Sequence, residues 1–493
     1  MKKLIFFSLL TLLLVGCKKE NEIQEIALND TTGAPIESAT GQLVQIIDST
    51  TYSVRELAQA ITHSHVFEWA DNFSSGITSV VTPVLSTLIN ARKPVMDALF
   101  ATRVGLDKHY RSQYCIESYV FTFTTLSAAG KPIVLSGRIT FPNNTVENIT
   151  HTLDAYTLFS HQYVMGNDWV PSHSQSLMSA RALYNEAVIE PDMQGYGATE
   201  NEESVAFISA NAGGRQMADC INAALTILKR RNVRLADNGY STNWGSSLGA
   251  TSALAFARYY DREASPDLRK AVRLRSSYIS EGPLDMAGMI EFQDANPSYK
   301  TATVTFICAL DALNDEQMMG HTCSDFLSKY MCTTMVEFRG KQYPYYYAES
   351  HKFPNYNDYK QKDSPDTLFV RYLNENLYNS DLHLKKESQT VQDLLTIMRQ
   401  QAQYLDWQPT TELYFSHAIE DETLPYQLSR DVYEQILSQS GSGSNNMHWL
   451  DIPTKRSILA KNEAIGPHHG VAVEAMLYMV LAREPKDMYI FYK

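Results

Sequence analysis

Three residue types set far apart in this chain could together perform covalent acyl transfer: a serine, an acid and a histidine. The serine is Ser247, within Gly245-Ser246-Ser247-Leu248-Gly249, which has the G-x-S-x-G spacing. A hydroxyl at its ordinary pKa is a weak nucleophile. It needs a neighbouring base, and that base needs an orienting acid. The acid candidate is Asp421, within Ser416-His417-Ala418-Ile419-Glu420-Asp421-Glu422, with Glu420 and Glu422 as alternatives. The base candidate is His469, within Gly466-Pro467-His468-His469-Gly470, with His468 as the alternative. Histidine titrates near neutrality and suits the role. Gly470 allows backbone to pack closely beside His469.

The chain has 23 glycines, so the serine motif alone is weak. Its context strengthens it. A short strand, Tyr240 to Trp244, precedes the motif, and a small-residue helix, Leu248 to Tyr260, follows it. On a tight strand-to-helix turn, side chains two positions either side of the serine would collide, and glycines remove the collision. The helix N-terminus then offers N–H groups to developing negative charge. Ser241 is a rival, in Gly239-Tyr240-Ser241-Thr242-Asn243, but Asn243 stands where the second glycine belongs.

Other elements must hold these residues in place. Val54, Leu57, Ala58 and Ile61 recur at helical spacing. A second helix is expected after Thr82, with Pro83 at its first position. Tyr119 to Thr125 and Pro132 to Pro142 alternate around Ala128-Ala129-Gly130-Lys131, a hairpin signal. Strands follow at Thr152 to Ser160, Ala187 to Pro191, Val272 to Ile279 and Thr411 to Ser416. Helical segments are expected at Leu177 to Asn185, Gln216 to Arg231, Val391 to Tyr404 and Val471 to Leu481. Strands alternating with helices predict an α/β fold with a mostly parallel sheet. Asp421 follows a strand directly, and loops at the carboxyl ends of strands are where open sheets bind ligands.

The start of the chain bears on its address. Met1-Lys2-Lys3 is basic, and Leu4 to Val15 is largely apolar, too short to span a bilayer. It has the form of a secretory signal. Leu14-Val15-Gly16-Cys17 resembles a bacterial lipoprotein signal, with cleavage before Cys17 and acylation of its thiol. Several acyl chains on Cys17 would anchor the protein stably. The expected divisions are a lipoprotein signal at 1–16, a tether at 17–50 and a helical N-terminal extension at 51–112. The catalytic core is expected at 113–285 and 406–493, with a cap or lid insertion at 286–405.

The net charge of −13 disfavours a nucleic-acid partner. Six cysteines are too few to staple 493 residues, although a Cys323–Cys332 bridge fits an exported protein. No cysteine spacing suggests a zinc site, and no metal is expected.

Further segments carry a family resemblance: Pro191-Asp192-Met193-Gln194-Gly195-Tyr196-Gly197, Gly282-Pro283-Leu284-Asp285, and His417 with Asp421 to Pro425. With the serine motif, they resemble the α/β-hydrolase superfamily. Within it, the likeness is to secreted lipases and esterases, including fungal secretory lipases and their bacterial relatives. It runs from about residue 115 to 285 and from about 405 to 485. The chain departs from the family twice: His161-Gln162 replaces a histidine-glycine pair, and Gly249-Ala250 replaces a double glycine.

The resemblance implies an α/β-hydrolase fold with an N-terminal helical extension and a largely helical cap. It implies a serine ester hydrolase acting through an acyl-enzyme, with no metal or cofactor. Backbone N–H groups of Leu248 and Gln162 would bind the oxyanion. Asp192 would shape the loop below the site, and Asp285 is a minor alternative acid. The substrate would be a small-molecule, lipid or carbohydrate ester. The Cys17 anchor would place the protein in the bacterial cell envelope, at the outer membrane. A serine peptidase or carbohydrate esterase would use the same triad. An inactive lipid-anchored binding protein is the alternative from a different class.

Overall fold

In a computed structural model, the chain is described at residues 40–62, 83, 86–87, 114–144, 149–162, 169–200, 206, 209–296, 389–401, 407–421, 424–440, 445–453 and 467–492. The described residues form a nine-stranded sheet flanked by helices on both faces. Its strands are β1 (Leu43–Tyr52), β2 (Tyr114–Leu126), β3 (Pro132–Asn144), β4 (His151–Ser160), β5 (Glu186–Pro191), β6 (Val233–Ser246), β7 (Leu274–Ser280), β8 (Glu412–Ala418) and β9 (Met447–Ile452). The spatial order is β1-β2-β3-β5-β4-β6-β7-β8-β9. The first three pairings along that order are antiparallel and all the others are parallel.

The helices are α1 (Val54–Thr62), α2 (Ala210–Arg230), α3 (Leu248–Arg262), α4 (Pro266–Val272), α5 (Met286–Ala295), α6 (Gln389–Gln401), α7 (Tyr426–Gln439) and α8 (Pro467–Leu481). Strand side chains alternate between the two faces. Phe159, Tyr278 and Tyr414 pack on one face with α1, α8 and the 3-10 helix Leu177–Tyr184. Leu158 packs on the other face with α2 and α3. Ile279 and Phe415 pack there too, against α3 and α7. Fully burying each such side chain contributes about 1.5–3 kcal/mol, so both faces lock the strand register.

Several elements differ from the sequence reading. Residues 43–50, assigned to the tether, form most of β1, antiparallel to β2. The strand expected at Tyr240 to Trp244 is the end of the 14-residue β6. Leu177–Tyr184 is helical as expected, but with 3-10 geometry. Helix α2 starts six residues earlier than Gln216, at Ala210, because Ser209 caps it by accepting from Ala212 N–H at 3.1 Å. Helices α4 and α7 and strand β9 were not anticipated.

Most of the 51–112 extension, most of the 286–405 insertion and the Cys323–Cys332 pairing lie outside the described residues, as does Cys17. At the borders of the insertion, α5 and α6 lie against one another, joined by Arg399 and Glu291 at 2.5 Å. Cys115 and Cys220 are buried. No helix among the described residues is long and apolar enough to cross a membrane.

Candidate active site

Ser247 occupies the turn between β6 and α3 with φ 54° and ψ −127°. This region costs a non-glycine residue about 1–3 kcal/mol and persists only where the surroundings over-determine it. Here they do. The Ser247 N–H donates to the Ser280 carbonyl at 2.9 Å, and its own carbonyl accepts from Ala250 N–H at 2.9 Å. Both flanking glycines are sterically required. A Cβ on Gly245 would lie 2.0 Å from the Gly249 carbonyl oxygen. A Cβ on Gly249 would lie 2.1 Å from the Ser160 oxygen and 2.8 Å from that of His161. Gly249→Ala should therefore destabilise the protein by about 3 kcal/mol or more, read as a lower urea midpoint. An unchanged midpoint would show that the turn has more room than its geometry implies.

The same crowding brings the end of β4 against the start of α3. Ser247 is half-buried, whereas Ser246 and Leu248 beside it are 2% exposed. The turn thus presents one hydroxyl-bearing side chain and hides its neighbours. Leu248 opens α3, where the helix supplies no acceptor for its N–H. Gln162 follows His161 immediately beyond the β4 contact with Gly249. The His161 ring is buried, and Nδ1 donates to the Gln162 carbonyl at 2.7 Å. This fixes the Gln162 peptide. Burial pushes the His161 pKa down, keeping the ring neutral. Ser241, the rival nucleophile, is fully buried, and its hydroxyl donates to the Val272 carbonyl.

The acid candidates separate by burial. Asp421 is 5% exposed, whereas Glu420 beside it is exposed. Asp421 Oδ1 accepts from Leu424 N–H at 2.8 Å, and Oδ2 lies 3.2 Å from His417 Nε2. Glu422 lies outside the described residues. Asp285 caps α5 instead, with Oδ1 accepting from Gly288 N–H at 2.8 Å. Asp192 shapes its loop: it accepts from Ser136 Oγ at 2.6 Å and Ser172 N–H at 2.9 Å.

The two candidate histidines lie within the first turn of α8, not ahead of it, and their side chains lie outside the described residues. The helix itself is held from its far end. Arg181, 1% exposed, donates to the carbonyls of Met479, Ala482 and Arg483 and pairs with Glu186 at 2.8 Å. Those carbonyls would otherwise be orphaned at the helix C-terminus.

Hydrogen bonds stitch the strand ends together. Ser247 N–H reaches Ser280 on β7, and Glu281 N–H reaches Ser416 on β8 at 2.9 Å. The candidate nucleophile and acid thus follow strands separated only by β7. Glu281 escaped the sequence reading. It is 1% exposed with φ 51° at the end of β7. Among the described residues, three other non-glycine residues have positive φ: Asn185, Asn232 and Arg273. All three precede strands; Ser247 and Glu281 alone follow them. The adjoining Gly282-Pro283 was the only sequence signal there.

A buried charge cluster holds the chain that returns after Gln162. Arg138 Nε donates to the Pro171 carbonyl at 2.5 Å, and Nη2 donates to that of Ser172 at 3.3 Å. Glu190 accepts from Ser176 and Ser179. Burial pushes the Glu190 pKa up from its ordinary 4.5 to about 7, against the pull of those hydroxyls and Arg138. The folded protein therefore binds this proton more tightly than the unfolded chain. Stability should fall as pH rises from about 4.5 through about 7, by on the order of 3 kcal/mol. Glu190→Gln should remove most of that fall, measured as the difference in urea midpoint between pH 5 and pH 8. An equal fall in the variant would assign the pH dependence elsewhere.

No protein-family model matches the sequence, and no curated protein matches it. Solved structures do match by shape. The rice cell wall degrading esterase LipA from Xanthomonas oryzae superposes with a TM-score of 0.55 at 14% identity, over 92% of this chain and 97% of that one. Candida antarctica lipase A superposes with a TM-score of 0.50 at 13% identity, over 84% and 76% respectively. With the mostly parallel sheet, the flanking helices and the sharp serine turn after a central strand, these likenesses establish that the chain has the α/β-hydrolase fold.

Proposed function

We propose that the protein is a serine hydrolase that cleaves carboxylic esters. The observation that carries this reading is the backbone of Ser247, held left-handed between two glycines that have no room for a Cβ. Strain of that kind clusters at functional sites. In the proposed reaction His469 takes the Ser247 proton as the serine oxygen attacks the ester carbonyl, while Asp421 orients the imidazole and stabilises it once charged. The N–H groups of Leu248 and Gln162 receive the oxyanion. His469 passes that proton to the departing alkoxide, which leaves as the alcohol with the acyl group on Ser247; His469 then takes a proton from water as it attacks the acyl-enzyme, and returns it to Ser247 as the acid is released. The test is labelling with a fluorophosphonate probe, followed by a panel of p-nitrophenyl esters of increasing chain length and acetylated or feruloylated sugars. The sugar esters belong in the panel because one similar structure is a cell wall degrading esterase. Absence of labelling would defeat the reading in favour of a binding protein.

We further propose that Cys17 is acylated and tethers the domain to the bacterial cell envelope, at the outer membrane. The support is the basic start and the short apolar run that ends at Cys17. Cys17→Ser should move the protein from the membrane fraction to the soluble fraction and abolish palmitate incorporation. Retention of both would remove the anchor from the account.

A further inference from the structure

We propose that His417 is a positioning residue for Asp421, holding the carboxylate in the orientation that serves the base. This rests on the proposed serine chemistry and adds a second histidine to it, with a role distinct from that of the base.

His417 is fully buried at the end of β8. Its Nε2 lies 3.0 Å from the Leu424 carbonyl oxygen and 3.2 Å from Asp421 Oδ2. A carbonyl oxygen only accepts, and so does an ionised carboxylate. Nε2 therefore carries the proton and donates it to the Leu424 carbonyl, with Asp421 Oδ2 at ion-pair distance beside it. Leu424 closes the ring from the other side, since its N–H donates to Asp421 Oδ1 at 2.8 Å. Both carboxylate oxygens are thus held by groups anchored to one strand end. Nδ1 of His417 is buried with no hydrogen-bond partner among the described residues. A proton placed there instead would have no acceptor, so the site favours the Nε2–H tautomer.

A histidine placed only for packing would not require this. The same volume could be filled by Phe or Leu without an orphaned nitrogen. The other side of the ring meets Tyr426 edge-on at 5.9 Å between centroids. Tyr426 donates to Asp451 Oδ1 at 2.6 Å, and burial pushes its phenol up to about 12. It stays neutral across the working range. Asp451 is the register partner of His417 on β9, and Glu281 adjoins Ser416 from the β7 side.

Removing the Nε2 donor has two consequences. The carboxylate loses one of its neighbours, and it becomes more basic, because a polar N–H at that distance favours the charged form. A more basic Asp421 raises the proton affinity of the paired base. The acid limb of the kcat/KM profile then moves to higher pH.

The experiment compares wild type, His417→Leu and His417→Gln on a p-nitrophenyl ester across pH, with fluorophosphonate labelling rates alongside. His417→Leu should lower kcat about 100-fold with KM little changed, and should shift the acid limb upward. His417→Gln keeps an N–H at the same reach and should recover most of the rate and return the limb to its wild-type position. Equal losses in both variants with an unmoved acid limb would mean that His417 is structural, and the proposal would fail. An unaffected His417→Leu would also overturn it. Nitrogen NMR of the wild-type protein labelled in histidine gives a check that needs no stable Leu variant. The signal lost in His417→Gln should show the Nε2–H tautomer, and an Nδ1–H ring would count against the proposal. If the wild type itself resists the probe, the serine reading fails first, and the two failures stay distinct.

Discussion

Ser247→Ala should abolish fluorophosphonate labelling and lower ester turnover by on the order of 10⁶-fold, the scale seen when a triad serine is removed. Folding should survive the change. The left-handed backbone at this position is imposed by the hydrogen bonds to Ser280 and Ala250 and by the glycine contacts, none of which uses the hydroxyl. The alanine variant should therefore unfold at nearly the wild-type urea midpoint, which separates lost chemistry from lost structure. Ser241→Ala provides the matched control. Its hydroxyl donates inside the sheet to Val272, so the change should cost about 1 kcal/mol of stability and leave labelling intact. Labelling that survives in Ser247→Ala and disappears in Ser241→Ala would overturn the assignment.

The elbow was legible in the sequence because steric necessity wrote it there. Gly245 and Gly249 sit at the two positions where a Cβ meets backbone at about 2 Å, and no other residue type meets that demand. Asp421 stands out in the sequence by its position after a strand, whereas the burial that distinguishes it from Glu420 is a tertiary property. Strand β1 was missed because it is an edge strand. Its two register shifts, between Leu43 and Gln45 and between Ile46 and Asp48, break the alternation that would reveal it. The first half of β6 was missed for a related reason: Asp237-Asn238-Gly239 has turn chemistry, yet the strand runs through it. Helix α2 reads late because Gly213-Gly214 in its first turns are poor helix residues, and the Ser209 cap with tertiary packing overrides them. Glu281 had no signal of its own. A positive φ in a glutamate is imposed by neighbouring strands, which a local reading does not see.

Asp421→Asn should lower turnover by about 10⁴-fold, the loss typical when a triad acid becomes its amide. The hydrogen-bond ring around this side chain makes the change doubly unfavourable. An asparagine must put its NH₂ on one side and its oxygen on the other. With the oxygen toward Leu424 N–H, the NH₂ faces His417 Nε2–H, and two donors oppose each other. Flipping the amide moves the same conflict to Leu424. Relief through the other His417 tautomer would leave the Leu424 carbonyl facing a bare nitrogen. Each arrangement strands one buried group, at about 1–3 kcal/mol, so the urea midpoint should fall along with the rate. The double variant Asp421→Asn with His417→Gln tests this reasoning directly. A glutamine amide carries both an oxygen for the new NH₂ and an NH₂ for the Leu424 carbonyl, which one imidazole nitrogen does not, so the double variant should regain stability relative to Asp421→Asn while its turnover stays low. Glu420→Gln should change neither, since that side chain lies outside the buried ring. If Glu420→Gln proved the crippling substitution and Asp421→Asn were silent, the exposed carboxylate would be the one the histidine uses, and the burial argument would be wrong.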